Sequence, residues 1–437
     1  METKLDPIKN KLNSESDFSK DTLQNGLRVI TVPTYPTKSV TIMIMAAAGS
    51  RHEERRVNGI SHFMEHMFFK GAKRHTNAME VASAIDSVGG SFNAFTGEER
   101  VGYFVKLSAK KKKVAYDVVS DMLLNSKFEQ EEIDRERGVI IEEIRMYNDD
   151  PMSRVQMDFK EHFYGDQPLG WDIAGPESVI QSVNRKDFIE YKDRHYSAAN
   201  CVLVAAGGIT HEENIAMAEQ FFTFENHGTR MSATPFKKLE GKRSTLRKRD
   251  IEQAHFTLGF PIPGDEHEDQ AALKIFNNAL GGTMSSRLFY QIRERRGLAY
   301  YIRSARSTYV DTGALKVSAG INVAKLGDAI ACVMDEIIKA AEEGITEDEF
   351  IKSRDNIKGR NDLALENSMS VAGLYAGHET LHGKIKTPEE ITAEIDAVTL
   401  EQANAVAKKY LDPSQVRLAA LGPYDDLETF DKRLDGV

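Results

Sequence analysis

The sequence predicts an α+β protein made of two homologous domains that arose by internal duplication, and three observations carry this. Residues 183–207 (VNRKDFIEYKDRHYSAANCVLVAAG) and 398–422 (VTLEQANAVAKKYLDPSQVRLAALG) align without a gap at an offset of 215. They share few identities but one layout: an amphipathic helix, a polar turn, an apolar strand, then glycine. The apolar segments VTIMIMAAAG, ending at Gly49, and HFTLGFPIPG, ending at Gly264, keep the same offset. Ahead of the matched helices, PESVIQSV from Pro176 answers PEEITAEIDAV from Pro388.

Length agrees with this division. A chain of 437 residues exceeds one ordinary core, because domains split as cores stop growing. The first domain is placed at 21–225 and the second at 249–437. Residues 226–248 between them are polar, basic and short of large apolar side chains, which reads as a linker. Residues 1–20 have no apolar core for a secretory signal. They also carry acids and no arginine, unlike a mitochondrial presequence, so they read as a mobile tail.

Composition narrows the partners. With 41% apolar and 28% charged residues the chain has the make-up of a soluble globular protein. Its net charge of −10 makes nucleic acid an unfavourable partner, although an acidic cleft could attract basic peptides. No run approaches the ~20 apolar residues of a membrane span. The two cysteines, Cys201 and Cys332, sit at unrelated positions with no CxxC. Both read as buried thiols of a reducing compartment, and the expected location is the cytoplasm.

Two short stretches compete as a metal site. HETLH, 378–382, fits the H-E-x-x-H pattern of zinc proteases, and HFMEH, 62–66, carries the same residue types in inverted order. On a helix His62 and His66 stand one turn apart on one face, which suits two imidazoles on one ion. Glu65 beside them is offset toward a water rather than the ion. A third ligand must come from elsewhere. The segment EQEEIDRERGVIIEEIRMYNDDP, 129–151, places Glu136 and Glu143 seven apart on one helix face. One could bind the ion while the other hydrogen-bonds a ligand or the water. HETLH has only Glu401 as an obvious third ligand, and Gly383 ends its helix directly. At the fixed offset His62, Glu65 and His66 face Asn277, Leu280 and Gly281, so the second domain lacks the set.

HFMEHMFFKG, NAFTGEE at 93–99 and RERGVIIEEI at 135–144 together resemble the zinc site of the pitrilysin family, the inverzincins. The likeness is closest to the branch holding mitochondrial processing peptidases and their bacterial relatives. It covers nearly the whole chain and implies two roll-like domains, each an antiparallel-rich sheet packed on helices. It also implies a zinc metalloendopeptidase with His62, His66 and Glu143 as ligands and Glu65 as catalytic base. Glu143 lies 77 residues beyond His66 and matches the family's glutamate ligand, with Glu142 as the alternative. Glu136 matches an acidic residue that hydrogen-bonds a ligand.

In IRERRGLAY, 292–300, Arg293 and Tyr300 match residues that hold substrate backbone and support the reaction. The stretch GGSFNAFTGEE reads as a strand that could be an open edge. The resemblance makes Asn93, Ala94, Phe95 and Thr96 the place where an extended peptide pairs. Short or unfolded peptides are then the expected substrates. A chamber of four such domains implies a homodimer, or a heterodimer with a related subunit. Where arginine-directed processing peptidases carry acids, this chain has Ser153 and Met157, so broader cleavage is expected. The competing reading is a non-catalytic core subunit, which usually loses the ligands retained here.

Overall fold

The computed structural model describes residues 18–34, 36–238, 241–426 and 428–435. Each half builds one sheet. The first contains β1 (Ser19–Thr22), β2 (Arg28–Pro33), β3 (Ser39–Ala46), β4 (Ser91–Thr96), β5 (Val101–Ser108) and β6 (Cys201–Gly207). The second contains β7 (Ser244–Lys248), β8 (Gln253–Ile262), β9 (Ala299–Thr308), β10 (Gly313–Asn322) and β11 (Arg417–Gly422). Their orders are β1-β2-β6-β3-β5-β4 and β7-β11-β8-β10-β9.

Laying β7 on β2, β11 on β6, β8 on β3, β10 on β5 and β9 on β4 reproduces both order and direction. In each sheet the pair β2–β6 or β7–β11 is parallel and every other pairing is antiparallel. The duplication expected from the offset of 215 is therefore present as one topology built twice. Two boundaries differ from the expectation. Of the proposed tail, residues 1–17 lie outside the described residues, while Ser19 and Lys20 open β1. Ser244–Lys248, placed in the linker because it is basic, forms β7.

The central strands explain why their sequences are apolar without alternation. In β3, Ile42, Ile44 and Ala46 enter the core of the first half, whereas Met43 and Met45 point the other way. That opposite face is covered by the helix Ser368–His382 of the second half, through Val371, Ala372, Tyr375 and Ala376. The exchange is reciprocal. The helix Pro151–Tyr164 of the first half covers the second sheet, with Val155, Phe159 and Phe163 against Ala419 and Leu421 of β11. Strands buried on both faces read as continuous apolar runs. Each fully buried large side chain contributes about 1.5–3 kcal/mol, so separating the halves would expose two cores.

Among the described residues no helix is long and apolar enough to cross a membrane.

Candidate metal centre and its cleft

The helix Ile60–Phe68 turns Ile60, Phe63, Met64, Met67 and Phe68 into the core and leaves His62, Glu65 and His66 on its other, half-buried face. Its start is fixed by two features. Gly59 has φ 99°, and a Cβ there would come 2.4 Å from the carbonyl oxygen of Ala174, so the position requires glycine. Glu53, fully buried, accepts hydrogen bonds from the Gly59 and Ser61 amides and from the Asn58 side chain, each at 2.8 Å. A carboxylate there satisfies amides that a helix N-terminus leaves open. Burial pushes the Glu53 carboxyl up to about 7 against the pull of these donors. Sequence reading missed Glu53 because its cap lies six to eight residues upstream of the amides it holds and fits no capping motif.

The helix Gln130–Asp149 supplies the distant carboxylates. Glu136 and Glu143 share the face turned toward the histidines. His66 Nδ1 lies 2.8 Å from Glu136 Oε1, and Lys70 Nζ lies 2.5 Å from the other Glu136 oxygen. Glu143 Oε2 stands 3.7 Å from His62 Nε2 and 3.5 Å from His66 Nε2. Glu142 points elsewhere, largely exposed, and pairs with Arg145 at 2.7 Å. Helix period places Glu143 on the face of Glu136, and the family match keeps Glu142 as the alternative ligand; the structure brings Glu143 to the histidines.

These three side chains fit a metal ion. They are the only such His/Cys/Asp/Glu group among the described residues, with one potential ligand atom from each lying within 4.8 Å of the others. Zinc bonds of about 2.1 Å to tetrahedral nitrogen and oxygen ligands place those ligands about 3.4 Å apart. The separations of 3.5 and 3.7 Å are close to that and too long for hydrogen bonds. Burial, then the neighbouring charge of His66, lowers His62 to about 4, which leaves its imidazole neutral and able to ligate. Burial also lowers His66, but its hydrogen bond to Glu136 and the surrounding carboxylates more than offset this.

Glu65 lies beside the cluster and accepts a hydrogen bond from Thr96 Oγ1. Burial raises its carboxyl above the ordinary range; Thr96 and His66 oppose the shift and Glu143 adds to it. Thr96 ends β4, an edge strand of its sheet, which among the described residues pairs with β5 alone. The Ala94 amide turns to the Asn93 side-chain oxygen at 2.9 Å. The Phe95 ring lies over Gly102, where a Cβ would come within 2.5 Å of it. A cleft of about 900 Å³ opens beside His62, Thr96 and Glu143 and reaches Tyr309 and Lys316 of the second half.

Arg293 and Tyr300 do not line this cleft. The Arg293 guanidinium lies 4.8 Å from the Phe289 ring, and Tyr300 is half exposed near the start of β9. The HETLH residues also have other partners. Glu379 is buried and pairs with Lys20 and Arg28 at 2.6 and 3.1 Å. His378 Nδ1 contacts the Lys386 backbone, and His382 Nε2 lies 3.0 Å from Asp265. Those partners come from β1, β2 and two loops of the second half, so the segment secures the exchanged helix. Of the acids near Ser153, Asp150 caps the helix Pro151–Tyr164 and Asp158 pairs with Arg154 and Arg247.

The chain has relatives among known proteins. A profile described as insulinase (peptidase family M16) matches residues 28–177, and one described as peptidase M16 inactive domain matches residues 182–357. A protein of Mycobacterium leprae named an uncharacterized zinc protease is 35% identical over 95% of this chain and 94% of its own. A Bacillus subtilis protein with the same description is 36% identical over 92% of this chain and 97% of its own. Among solved structures, a protease from Helicobacter pylori superposes with a TM-score of 0.85 at 24% identity, covering 93% of this chain and 99% of that one. A chain of complex III2 from Candida albicans gives 0.83 at 17% identity over 95% and 99%. These two structural likenesses concern the fold.

Proposed function

This chain belongs to the insulinase family, peptidase family M16, and we propose that it is a zinc-dependent endopeptidase acting on short or unfolded peptides. The observation that carries this is the convergence of His62, His66 and Glu143 beside Glu65, with His62 and Glu143 lining a cleft. His62, His66 and Glu143 would hold the ion, and Glu136 orients His66 through its Nδ1–H. A zinc ion so held supplies Lewis-acid activation of water and of a peptide carbonyl.

The remaining chemistry belongs to the chain. Glu65 takes the proton from the attacking water and delivers it to the departing amine, a role commonly worth ~10²–10⁴ in rate. Its raised affinity for a proton and its hydrogen bond from Thr96 suit a group that must accept and release one. The edge strand β4 is the place for the substrate backbone, which adds as a further strand along Asn93, Ala94, Phe95 and Thr96. A segment can add along β4 only where its own backbone is extended and unpaired, which supports short or unfolded substrates. Arg293 and Tyr300, outside the cleft of this chain, are assigned to the substrate backbone on the match of IRERRGLAY to the family's segment. Two chains closing together form the chamber, as a homodimer or with a related subunit. Two unpaired cysteines are in keeping with a cytoplasmic setting.

The reading of a non-catalytic core subunit is weaker, because the complete ligand set and Glu65 are present. A direct test removes the metal with a chelator and follows cleavage of a quenched unstructured peptide. Cleavage should vanish and return with zinc; cleavage indifferent to the chelator, with the metal shown to be gone, rejects the proposal.

A further inference from the structure

The second sheet forms one wall of the cleft, and there Lys316 of β10 stands out among the lining cations. Arg55, Arg154 and Lys160 also line the cleft, and each has a carboxylate partner: Asp166 at 3.6 Å, Asp158 at 2.7 Å and Glu98 at 2.7 Å. Lys316 forms no ion pair among the described residues. Its polar contact is Gln156 Oε1, at 3.5 Å. Gln156 is itself fixed, its amide nitrogen donating to Thr257 Oγ1 at 2.9 Å and Ser318 Oγ at 2.5 Å.

One side of the Lys316 stem is apolar. Gly259 stands directly across from Lys316 in the sheet, and the space of its missing side chain is taken by the Phe159 ring, 2.6 Å from where a Cβ would lie. Cross-strand neighbours share a face, so this ring lies beside Lys316. Burial lowers the affinity of Lys316 for its proton, with Arg303 and Lys160 adding and Glu98 opposing. The nearby Glu98 is bound to Lys160, so this partly withdrawn ammonium, in contact with a distant amide oxygen, has no ion-pair partner of its own among the described residues to offset its lost hydration.

We propose that Lys316 is a specificity-determining residue that receives a carboxylate of the peptide substrate, from an aspartate or glutamate side chain or from a free C-terminus. The assignment rests on the peptidase reading above. It gives the cleft a preference opposite to that of an arginine-directed processing enzyme. Of the acids that line the cleft, Glu98, Asp166 and Glu177 are already paired, with Lys160, Arg55 and Arg145.

The experiment uses the zinc-loaded chain and quenched peptides that differ at one position, glutamate against glutamine against lysine, scanned on both sides of the scissile bond. Each peptide is made with a free and with an amidated C-terminus, which separates the two sources of carboxylate. The expected result is a kcat/KM about tenfold higher for glutamate than glutamine at one or more positions, or for the free over the amidated terminus, carried mainly by KM. Lys316→Met should abolish the difference and Lys316→Glu should turn it toward lysine. Equal rates across the wild-type panel, or a preference that survives in a folded Lys316→Met, overturns the assignment. Should either variant fail to melt cooperatively, the wild-type panel decides. Should the wild type cleave none of the peptides, the peptidase reading fails separately. The assignment is then read from anisotropy of the same peptides binding the chain, where equal affinities overturn it.

Discussion

Nδ1 of His66 lies 2.8 Å from Oε1 of Glu136, and this contact turns the ring so that Nε2 faces His62 and Glu143. Because the Glu136 carboxyl stays ionised despite its burial, held down by His66 and Lys70, it accepts and the imidazole donates. Such an outer contact fixes ring orientation and ligand basicity. Glu136→Ala should therefore weaken zinc binding about 10–100-fold while leaving His62, His66 and Glu143 in place. Competition with a chelator of known affinity measures this, and an unchanged affinity would mean the contact is incidental.

The edge strand makes a second expectation. The Ala94 amide turns to the Asn93 side chain rather than to β5, so it is available to an incoming strand. Ala94→Pro deletes that donor at an edge, where proline is tolerated. KM for an unstructured peptide should rise several-fold, as expected for one lost hydrogen bond of about 1 kcal/mol, with metal content retained. An unaltered KM would place the peptide elsewhere.

HETLH bears on stability rather than on metal. Glu379 is buried with Arg28 and Lys20 as partners, and removing one member of such a group leaves an uncompensated charge. Glu379→Ala should cost about 3 kcal/mol, seen as a lowered melting temperature. His382→Ala should keep full zinc content, whereas His66→Ala should lose it; metal analysis of the two proteins distinguishes them.

These two motifs show how much was legible in the chain. The helix period put His62 and His66 on one face and Glu136 and Glu143 on another, and the structure brings the two faces together. That the two halves share one topology followed from the repeat. The exchange of helices did not, because Met43 meeting the helix Ser368–His382 is a contact between distant halves that no local period encodes. The same holds for Glu53, whose partners lie outside any capping motif, and for Lys316, which is notable only once its neighbours are seen to be paired.

A pH dependence follows from Asp158. Burial would raise its carboxyl, but hydrogen bonds and charge from Arg247 and Arg154 hold it below its ordinary 3.8. A carboxyl depressed on folding contributes stability above its unfolded value and loses it as pH falls through the folded one. Because Arg247 lies in β7 and Asp158 in the exchanged helix, this contribution ties the halves together. Asp158→Asn should lower stability at pH 7 by about 1.5–3 kcal/mol. The gap to the wild type should shrink below about pH 4. Urea melts across that range measure it; a gap independent of pH would assign the loss to packing.

The most direct test of the central claim is Glu65→Gln, assayed for zinc content and for cleavage of a quenched unstructured peptide in the same preparation. Zinc at the wild-type stoichiometry with cleavage reduced ~10²–10⁴-fold is the predicted result. Cleavage at the wild-type rate by the zinc-loaded variant would contradict it.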